Sequence, residues 1–271
     1  MGIARQFWKL ALLLWLIVLP AFGEVRSEVI VHQSRVLGTE KKFYLLYPED
    51  YNAKQNYPVL YLLHGAGGGY RDWAQGSLKK ALAKFAMFVV LPDGKNSWYV
   101  DSIDPTSQYE TYLIAELLPY IDSHYPTLKD RKARAIAGLS MAGHGAVTLA
   151  LKHPQLFASA SSLSGILDIM RHPGEWDLDQ HLGKLEENRK RWEDNCALAM
   201  IPKWRGESDV ALFISCGLSD FALEENRAFH KVMQNFRIPH LYVEHPGSHS
   251  WDYWLGHVEE HLLFHNFIFS H

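Results

Sequence analysis

Short apolar runs alternate with longer amphipathic stretches along most of this chain. Two runs near the start, 28–37 and 41–48, flank Gly38 and predict an antiparallel pair of strands. Six later runs each end in glycine or at a serine turn, at 58–65, 86–94, 133–140, 158–165, 210–217 and 240–247. Continuous apolar runs are typical of strands that are covered on both faces, as in a parallel sheet.

Helical stretches are predicted between these strands, at 71–85, 107–125, 141–153, 222–236 and 250–269. Pro119 lies inside the second stretch, where we expect it to kink or end a segment. The alternation of strand and helix predicts an α/β fold, doubly wound and mostly parallel, with an antiparallel N-terminal strand pair. Ligands of such sheets bind at the carboxyl ends of the strands.

One long segment does not fit this alternation. Residues 166–206 are rich in charge and carry no strand signal. We interpret them as an insertion that forms a partial polar cap over the strand ends. The remaining chain, from residue 24 to residue 271, has the length of one large α/β domain.

The N-terminus has the pattern of a secretory signal peptide. Arg5 and Lys9 precede an apolar core at 10–19, and Ala21-Phe22-Gly23 forms a small-x-small cleavage pattern. The core is shorter than the roughly 20 residues that span a bilayer, although an uncleaved anchor is the main alternative. We therefore predict that residues 1–23 are removed and that the protein is secreted or periplasmic, without stable membrane insertion.

The net charge and the cysteine content indicate which partners and which covalent crosslinks can be expected. The formal net charge is −3, and loss of Arg5 and Lys9 changes it to −5. This mild acidity, with no basic stripe, argues against a nucleic-acid partner. Cys196 and Cys216 are the two cysteines. They can form a disulfide in an oxidising compartment or remain two isolated thiols, and the sequence leaves both alternatives open.

Ser140 lies at the predicted junction of a strand and a helix, within the sequence AIAGLSMAGHG. A sharp turn there lifts the hydroxyl above the sheet edge and places it at a helix N-terminus, which favours negative charge. Side chains two residues before and after the serine must be small. Gly138 meets this need, and Ala142 adds only one methyl group. A purely structural serine is the alternative.

A nucleophilic serine requires a base, and the base requires an orienting acid. In this fold the order is serine, acid, histidine, each on a loop after a strand. Asp220 follows the strand at 210–217, and His249 follows the strand at 240–247. The competing residues lie within or at the ends of regular elements: Glu224, Glu225, His245, His257, His261 and His265.

The tetrahedral intermediate of acyl transfer requires hydrogen-bond donors for its oxyanion. We expect one from the backbone N–H of Met141, directly after the serine, and a second from Ala66 in the glycine-rich turn after an earlier strand. His64, in the same turn, is interpreted as structural. The glycines of this turn do not form a phosphate loop, because no Gly-Lys-Ser/Thr follows them.

Five segments together resemble the esterase D family of α/β-hydrolases: YLLHGAGG, LPDGKNSWYVDS, YLIAELLPYID, AIAGLSMAGHGA and GSHSWDYW. This family includes tributyrin esterases, S-formylglutathione hydrolases, feruloyl and acetylxylan esterases, and mycolyltransferases. The resemblance covers nearly all of the chain after residue 23, and the family accepts alanine at the position of Ala142. It implies a triad of Ser140, Asp220 and His249, with oxyanion donors at Ala66 and Met141.

These observations predict a secreted serine carboxylester hydrolase that works through an acyl-enzyme and needs no cofactor. Acyl transfer to a sugar or lipid alcohol is one alternative, and thioester hydrolysis of a glutathione adduct is another. A non-catalytic binding protein on the same scaffold is an alternative of a different class.

The substrate prediction depends on aromatic residues in loops near the strand ends. Trp73, Trp98, Tyr99 and Trp251 are expected to contact substrate, unless they belong to the core. Flat aromatic faces suit sugar rings or aryl acyl groups, and a charged cap does not suit long acyl chains. We therefore expect short acyl esters, acetyl or hydroxycinnamoyl groups on a carbohydrate, to be preferred.

The sequence HVEEH at 257–261 matches the H-x-x-E-H zinc pattern. A catalytic zinc ion would also need a third protein ligand and an open coordination position. We therefore interpret this stretch as one face of an amphipathic end helix and predict no metal site.

Overall fold

The computed structural model describes residues 23–74, 76–204 and 209–271. Within these ranges it contains one eight-stranded sheet. The predicted signal segment lies almost wholly outside the described residues and stays a prediction.

The sheet has the strand order β1-β2-β4-β3-β5-β6-β7-β8. The pairs β1–β2 and β2–β4 are antiparallel, and all other pairs are parallel. This arrangement confirms the predicted fold class. The strands are β1 (Val25–Gln33), β2 (Glu40–Pro48), β3 (Val59–Leu63), β4 (Phe88–Pro92), β5 (Arg134–Leu139), β6 (Ser159–Leu163), β7 (Ala211–Gly217) and β8 (Leu241–His245).

Helices cover both faces of the sheet. Helix α2 consists of three consecutive segments, Tyr109–Thr111, the π-helical Tyr112–Leu117 and Leu118–His124. No helix of the described ranges is long and apolar enough to cross a membrane. The other α-helices are α1 (Gly76–Leu82), α3 (Met141–Lys152), α4 (Leu178–Leu182), α5 (Leu185–Asn195), α6 (Ala197–Trp204), α7 (Leu223–Asn235) and α8 (Trp251–Phe269).

The π-helical segment of α2 is explained by Pro119. A proline inside a helix removes one N–H and crowds the carbonyl four residues earlier. Just before the proline, the Leu118 N–H donates to the Leu113 carbonyl, five residues back. This wider turn relieves the crowding, so the predicted segment boundary at Pro119 is present although the helix continues.

The predicted helix at 71–85 is much shorter in the structure. Only Gly76–Leu82 is helical, and the residues at 70–73 form turns. The Trp73 indole N–H donates to the Leu63 carbonyl at 2.8 Å, which fixes this segment against the end of β3. The turn chemistry after the glycines therefore delays the helix start.

The hydrophobic core lies on both faces of the sheet, as the continuous apolar runs predict. All five residues of β3 are buried. Tyr61 and Leu63 pack on the side of α2 and α3, whereas Leu60 and Leu62 pack on the side of α1 and α8. Side chains of a strand alternate between faces, so a fully apolar strand requires cover on each side.

The segment at 166–206 contains no strand in its described part, but it is less polar than the sequence suggests. Its helices α4 to α6 and the residue between the last two bury apolar side chains in the same core as the sheet: Leu178, Leu182, Trp192, Cys196 and Ile201. Its charged residues lie on the outer surface, for example Lys190, whose side chain is 78% exposed. The Trp98 indole N–H donates to the Trp176 carbonyl and connects the segment to the loop after β4.

Cys196 and Cys216 are both free and buried, which decides between the two alternatives left by the sequence. Burial raises the pKa of each thiol to about 12. The Cys196 thiol points to the Leu167 carbonyl at 3.7 Å. Both thiols therefore remain protonated and unreactive in the folded chain.

Three buried histidines predict that the fold loses stability in mild acid. Burial lowers the pKa of His144 and His265 from 6.5 to about 3, and that of His261 well below 6.5. Below pH 6.5 these histidines are protonated in the unfolded chain but stay neutral in the folded chain. The free energy of unfolding therefore decreases as the pH is lowered. Together the three groups contribute up to about 4 kcal/mol per pH unit.

Urea unfolding at several pH values between neutrality and about pH 5 measures this dependence. His265 contacts the hydroxyls of Ser159 and Ser161, both at 2.8 Å, so His265→Gln is the informative variant. It should flatten the slope by up to about 1.4 kcal/mol per pH unit, the maximum being reached at the acidic end of this range. The exposed His124, changed to glutamine, should leave the slope unchanged. Equal slopes for both variants would contradict the assignment of the effect to burial.

Candidate active site

Ser140 occupies a strained turn between β5 and α3. Its φ of 54° and ψ of −122° lie in a region that L-residues rarely adopt. The Ser140 N–H donates to the Leu163 carbonyl at 3.0 Å, which holds the turn against β6. The serine is half-buried at the N-terminus of α3, so its hydroxyl reaches the carboxyl edge of the sheet.

The small neighbours of Ser140 are required by close backbone packing. A Cβ atom on Gly138 would lie 2.4 Å from the Ala142 carbonyl oxygen and 2.8 Å from the Ala142 Cβ. The Ala142 methyl group is fully buried. Because Gly138 leaves the space that this methyl fills, alanine at position 142 is compatible with the turn.

The structure brings Ser140, His249 and Asp220 into one hydrogen-bonded chain. His249 Nε2 lies 2.8 Å from Ser140 Oγ. His249 Nδ1 lies 2.9 Å from Asp220 Oδ1 and 3.1 Å from Oδ2. In this arrangement Nδ1–H donates to the carboxylate, so Nε2 is free to accept the serine hydroxyl proton.

The Asp220 carboxylate is well suited to remain ionised. Burial raises its pKa, but hydrogen bonds from His249 and from the Ala222 N–H, at 2.9 Å, outweigh burial, and the net pKa is lowered. The side chain has no exposed surface, whereas that of His249 is 17% exposed. A buried negative charge beside Nδ1 stabilises the imidazolium that would form during acyl transfer.

The competing residues are all engaged elsewhere. Glu224 pairs with Arg227, and Glu225 contacts His172. His245 and His257 both contact Glu260. His261 bonds to Ser215, and His265 bonds to Ser159 and Ser161.

The two backbone donors predicted for the oxyanion lie beside the serine. A Cβ atom on Gly65 would be 3.4 Å from Ser140 Cβ, so the turn that contains Ala66 passes directly next to Ser140. The N–H groups of Gly67 and Gly69 bond to Asn96 and Asp72. Within the described ranges, the N–H groups of Ala66 and Met141 donate to no protein acceptor.

His64 braces this turn, in agreement with its structural interpretation. Its Nδ1 contacts the Gly65 carbonyl at 2.8 Å, and the Gly94 N–H donates to its Nε2 at 2.9 Å. Burial lowers the pKa of His64, so the neutral ring is retained. The Tyr99 hydroxyl donates to the His64 carbonyl at 2.9 Å and completes the brace.

Three of the four aromatic residues expected to contact substrate belong to the core. Trp73, Trp98 and Tyr99 are each 1% exposed. Their polar atoms bond to the backbone, and the Trp98 ring packs against His144. Protein covers their ring faces, so we reassign these three residues to the core. Trp251 is half-buried and remains a candidate.

Two exposed aromatic residues near His249 were missed by the sequence analysis. Phe221 is 59% exposed, and its ring lies 4.3 Å from that of His249. Trp176, from the 166–206 segment, is 40% exposed and lies 6.1 Å from Phe221. The position of Phe221 directly after Asp220 was the available signal. We call Phe221 and Trp176 the aromatic wall.

The known proteins that this chain matches in sequence include esterases and an S-formylglutathione hydrolase. The family model described as "Putative esterase" matches residues 34–265. An acetyl esterase from Caldicellulosiruptor saccharolyticus is 31% identical over 212 residues, covering 74% of this chain and 80% of the relative. An S-formylglutathione hydrolase from Paracoccus denitrificans is 26% identical over 282 residues, covering 90% and 94%.

A solved structure of a ferulic acid esterase gives the same result for the fold. It superposes with a TM-score of 0.81 at 29% identity and covers 91% of this chain and 99% of its own. The sequence match spans both the turn at Ser140 and the loops of Asp220 and His249. The chain therefore belongs to the putative esterase family, the esterase D-like group of α/β-hydrolases, and is a serine carboxylester hydrolase.

Proposed function

We propose that this esterase removes short acyl groups, acetyl or hydroxycinnamoyl, from carbohydrate esters, with Ser140, His249 and Asp220 as its triad. The observation that carries the proposal is the continuous hydrogen-bonded chain from Ser140 Oγ through His249 to Asp220. The aromatic wall beside His249 supports the choice of acyl group.

In the proposed reaction, Ser140 Oγ attacks the ester carbonyl while His249 Nε2 takes its proton. The backbone N–H groups of Ala66 and Met141 donate to the oxyanion, and His249 then gives the proton to the leaving alcohol. Water, deprotonated by His249, attacks the acyl carbon, and His249 returns this proton to Ser140 Oγ as the acid leaves. Asp220 keeps Nδ1 protonated in both halves of the reaction.

The surroundings of His249 favour a flat acyl group. Phe221 and Trp176 offer partly exposed ring faces, and Leu218, 48% exposed, lies in the same loop as Phe221. An aromatic contact contributes about 0.5–1.5 kcal/mol beyond area burial. The acetyl esterase and ferulic acid esterase among the similar proteins are consistent with this choice.

Within its described part, the 166–206 segment contributes one exposed large apolar residue, Trp176, which is little for a long acyl chain. A long chain gains about 0.8 kcal/mol for each methylene group that apolar walls receive. The buried apolar residues of the 166–206 segment face the core, and its exposed helix surface carries charged residues such as Lys190. Export through removal of residues 1–23 is part of the proposal and is supported by the N-terminal pattern alone.

A series of p-nitrophenyl esters from acetate to palmitate, together with methyl ferulate, tests the substrate class. We expect kcat/KM to be highest for the short esters and to fall toward palmitate. Phe221→Ala should lower kcat/KM for methyl ferulate by roughly three- to tenfold and affect acetate less, because it removes one aromatic contact.

Phe236→Ala is the matched control, since Phe236 is also exposed, at 40%, but follows the far end of α7. It should leave both substrates unaffected. A kcat/KM that rises steadily toward palmitate would refute the short-acyl assignment, and an unchanged ferulate rate in Phe221→Ala would remove the aromatic wall from it.

A further inference from the structure

Two histidines and a glutamate lie close together in the elements on either side of the loop that carries His249. His245 ends β8, and His257 and Glu260 lie on one face of α8. His245 Nε2 is 2.9 Å from Glu260 Oε2, and His257 Nδ1 is 3.0 Å from Glu260 Oε1. One ligand atom from each residue lies within 4.8 Å of the other two.

This group has the donor chemistry of a transition-metal site. Two imidazole nitrogens and one carboxylate are the protein ligands of many three-ligand zinc sites, in which water completes the tetrahedron. The side chains of His245, His257 and Glu260 are 23%, 22% and 38% exposed, so an ion can enter from solvent. Within the described ranges Glu260 forms ion pairs with these two imidazoles and with no lysine or arginine.

We propose that His245, His257 and Glu260 bind one divalent transition ion, with Zn²⁺ the best match, at a site separate from the serine centre. In the structure the two rings stack, with centroids 4.0 Å apart and planes at 10°. Binding therefore requires the rings to turn until the lone pairs of His245 Nε2 and His257 Nδ1 point to one ion, and each ring then carries its proton on the opposite nitrogen. One Glu260 oxygen is the third protein ligand.

The proposal differs from the metal site that the sequence motif suggests. In HVEEH the second histidine, His261, is buried and bonds to Ser215 at 2.9 Å. It cannot join His257 at the surface. Its place is taken by His245, which lies 12 positions before His257 and reaches the group because the last residue of β8 lies next to α8. This is why sequence spacing alone predicted no metal.

The position of the group indicates what a bound ion would do. The Leu218 N–H donates to the His245 carbonyl, and the Ser219 N–H donates to the Gly247 carbonyl, both at 2.8 Å. The loops that lead to Asp220 and His249 are therefore joined at this point. An ion held between β8 and α8 would fix both loop bases and stabilise the folded chain.

Zinc titration of chelator-stripped enzyme tests the proposal. Calorimetry should show saturable binding of one Zn²⁺ per chain, and Zn²⁺ should raise the melting temperature. His257→Ala and Glu260→Gln should each weaken binding at least tenfold and abolish the rise, because each removes a direct ligand. Mg²⁺, which prefers oxygen ligands, should give no comparable rise.

His124→Ala is the control, because His124 is an exposed helix-end histidine whose contacts, with Ser123 and with the ring and carbonyl of Tyr120, include no carboxylate or second histidine within the described ranges. It should bind Zn²⁺ like the unmodified chain. Absence of saturable Zn²⁺ binding, or equal affinity in His257→Ala and the control, would overturn the proposal. Both readouts are independent of ester turnover, so their failure would leave the proposed esterase function untouched.

Discussion

Replacement of Ser140 by alanine is expected to lower kcat by roughly 10³-fold or more while leaving the fold intact. The substitution removes only Oγ, the atom 2.8 Å from His249 Nε2. Alanine keeps the Cβ atom, so the strained φ of the turn adds no new steric cost. Without a nucleophile, the oxyanion donors and substrate binding can still give a small residual rate.

Initial rates with p-nitrophenyl acetate, compared with circular dichroism and melting temperature, measure this effect. Ser123→Ala is the matched control, since Ser123 is exposed and its hydroxyl bonds to the Tyr120 carbonyl. It should retain full activity. Substantial esterase activity in pure, folded Ser140→Ala would exclude Ser140 as the nucleophile.

The second large effect is expected for Asp220→Asn, with a loss in kcat of about 10³- to 10⁴-fold. The asparagine oxygen can still accept the Ala222 N–H bond, so the loop should keep its shape. Its amide, however, can donate to His249 Nδ1 and favour the tautomer with hydrogen on Nε2. That tautomer cannot take the proton of Ser140.

The comparison with Glu224→Gln makes this prediction specific. Glu224 is a nearby carboxylate, 73% exposed, and it pairs with Arg227 on the surface of α7. Its neutralisation should change kcat less than twofold, because the pair is exposed and Glu224 forms no hydrogen bond with His249 among the described residues. Equal losses in both variants would show that Asp220 is not the orienting acid.

Much of the fold and of the candidate site follows from sequence because local rules govern it. The run at 58–65 contains β3, and the run at 133–140 contains β5, which is buried throughout although it begins with Arg134. The turn at Ser140 requires Gly138 for backbone clearance, and loops after β7 and β8 carry Asp220 and His249. Each of these features depends on residues that are adjacent in the chain.

The features that the sequence analysis missed depend on contacts between distant segments. Trp73 and Trp98 lie in loops that follow strands, where an aromatic residue can also be exposed. Only the packing of neighbouring layers buries these two. Trp176 lies in the 166–206 segment. That segment has so many charged residues that its apolar face cannot be recognised from the sequence. Similarly, His245 meets His257 only because the fold places the end of β8 next to α8.

The most direct test of the central claim is labelling with a fluorophosphonate, followed by peptide mapping. This reagent reacts with a serine hydroxyl that a neighbouring base has activated. We predict one adduct per active chain, on Ser140, formed together with loss of esterase activity and absent from Ser140→Ala. Labelling of a different residue, or full labelling with esterase activity retained, would contradict the assignment of Ser140 as the nucleophile.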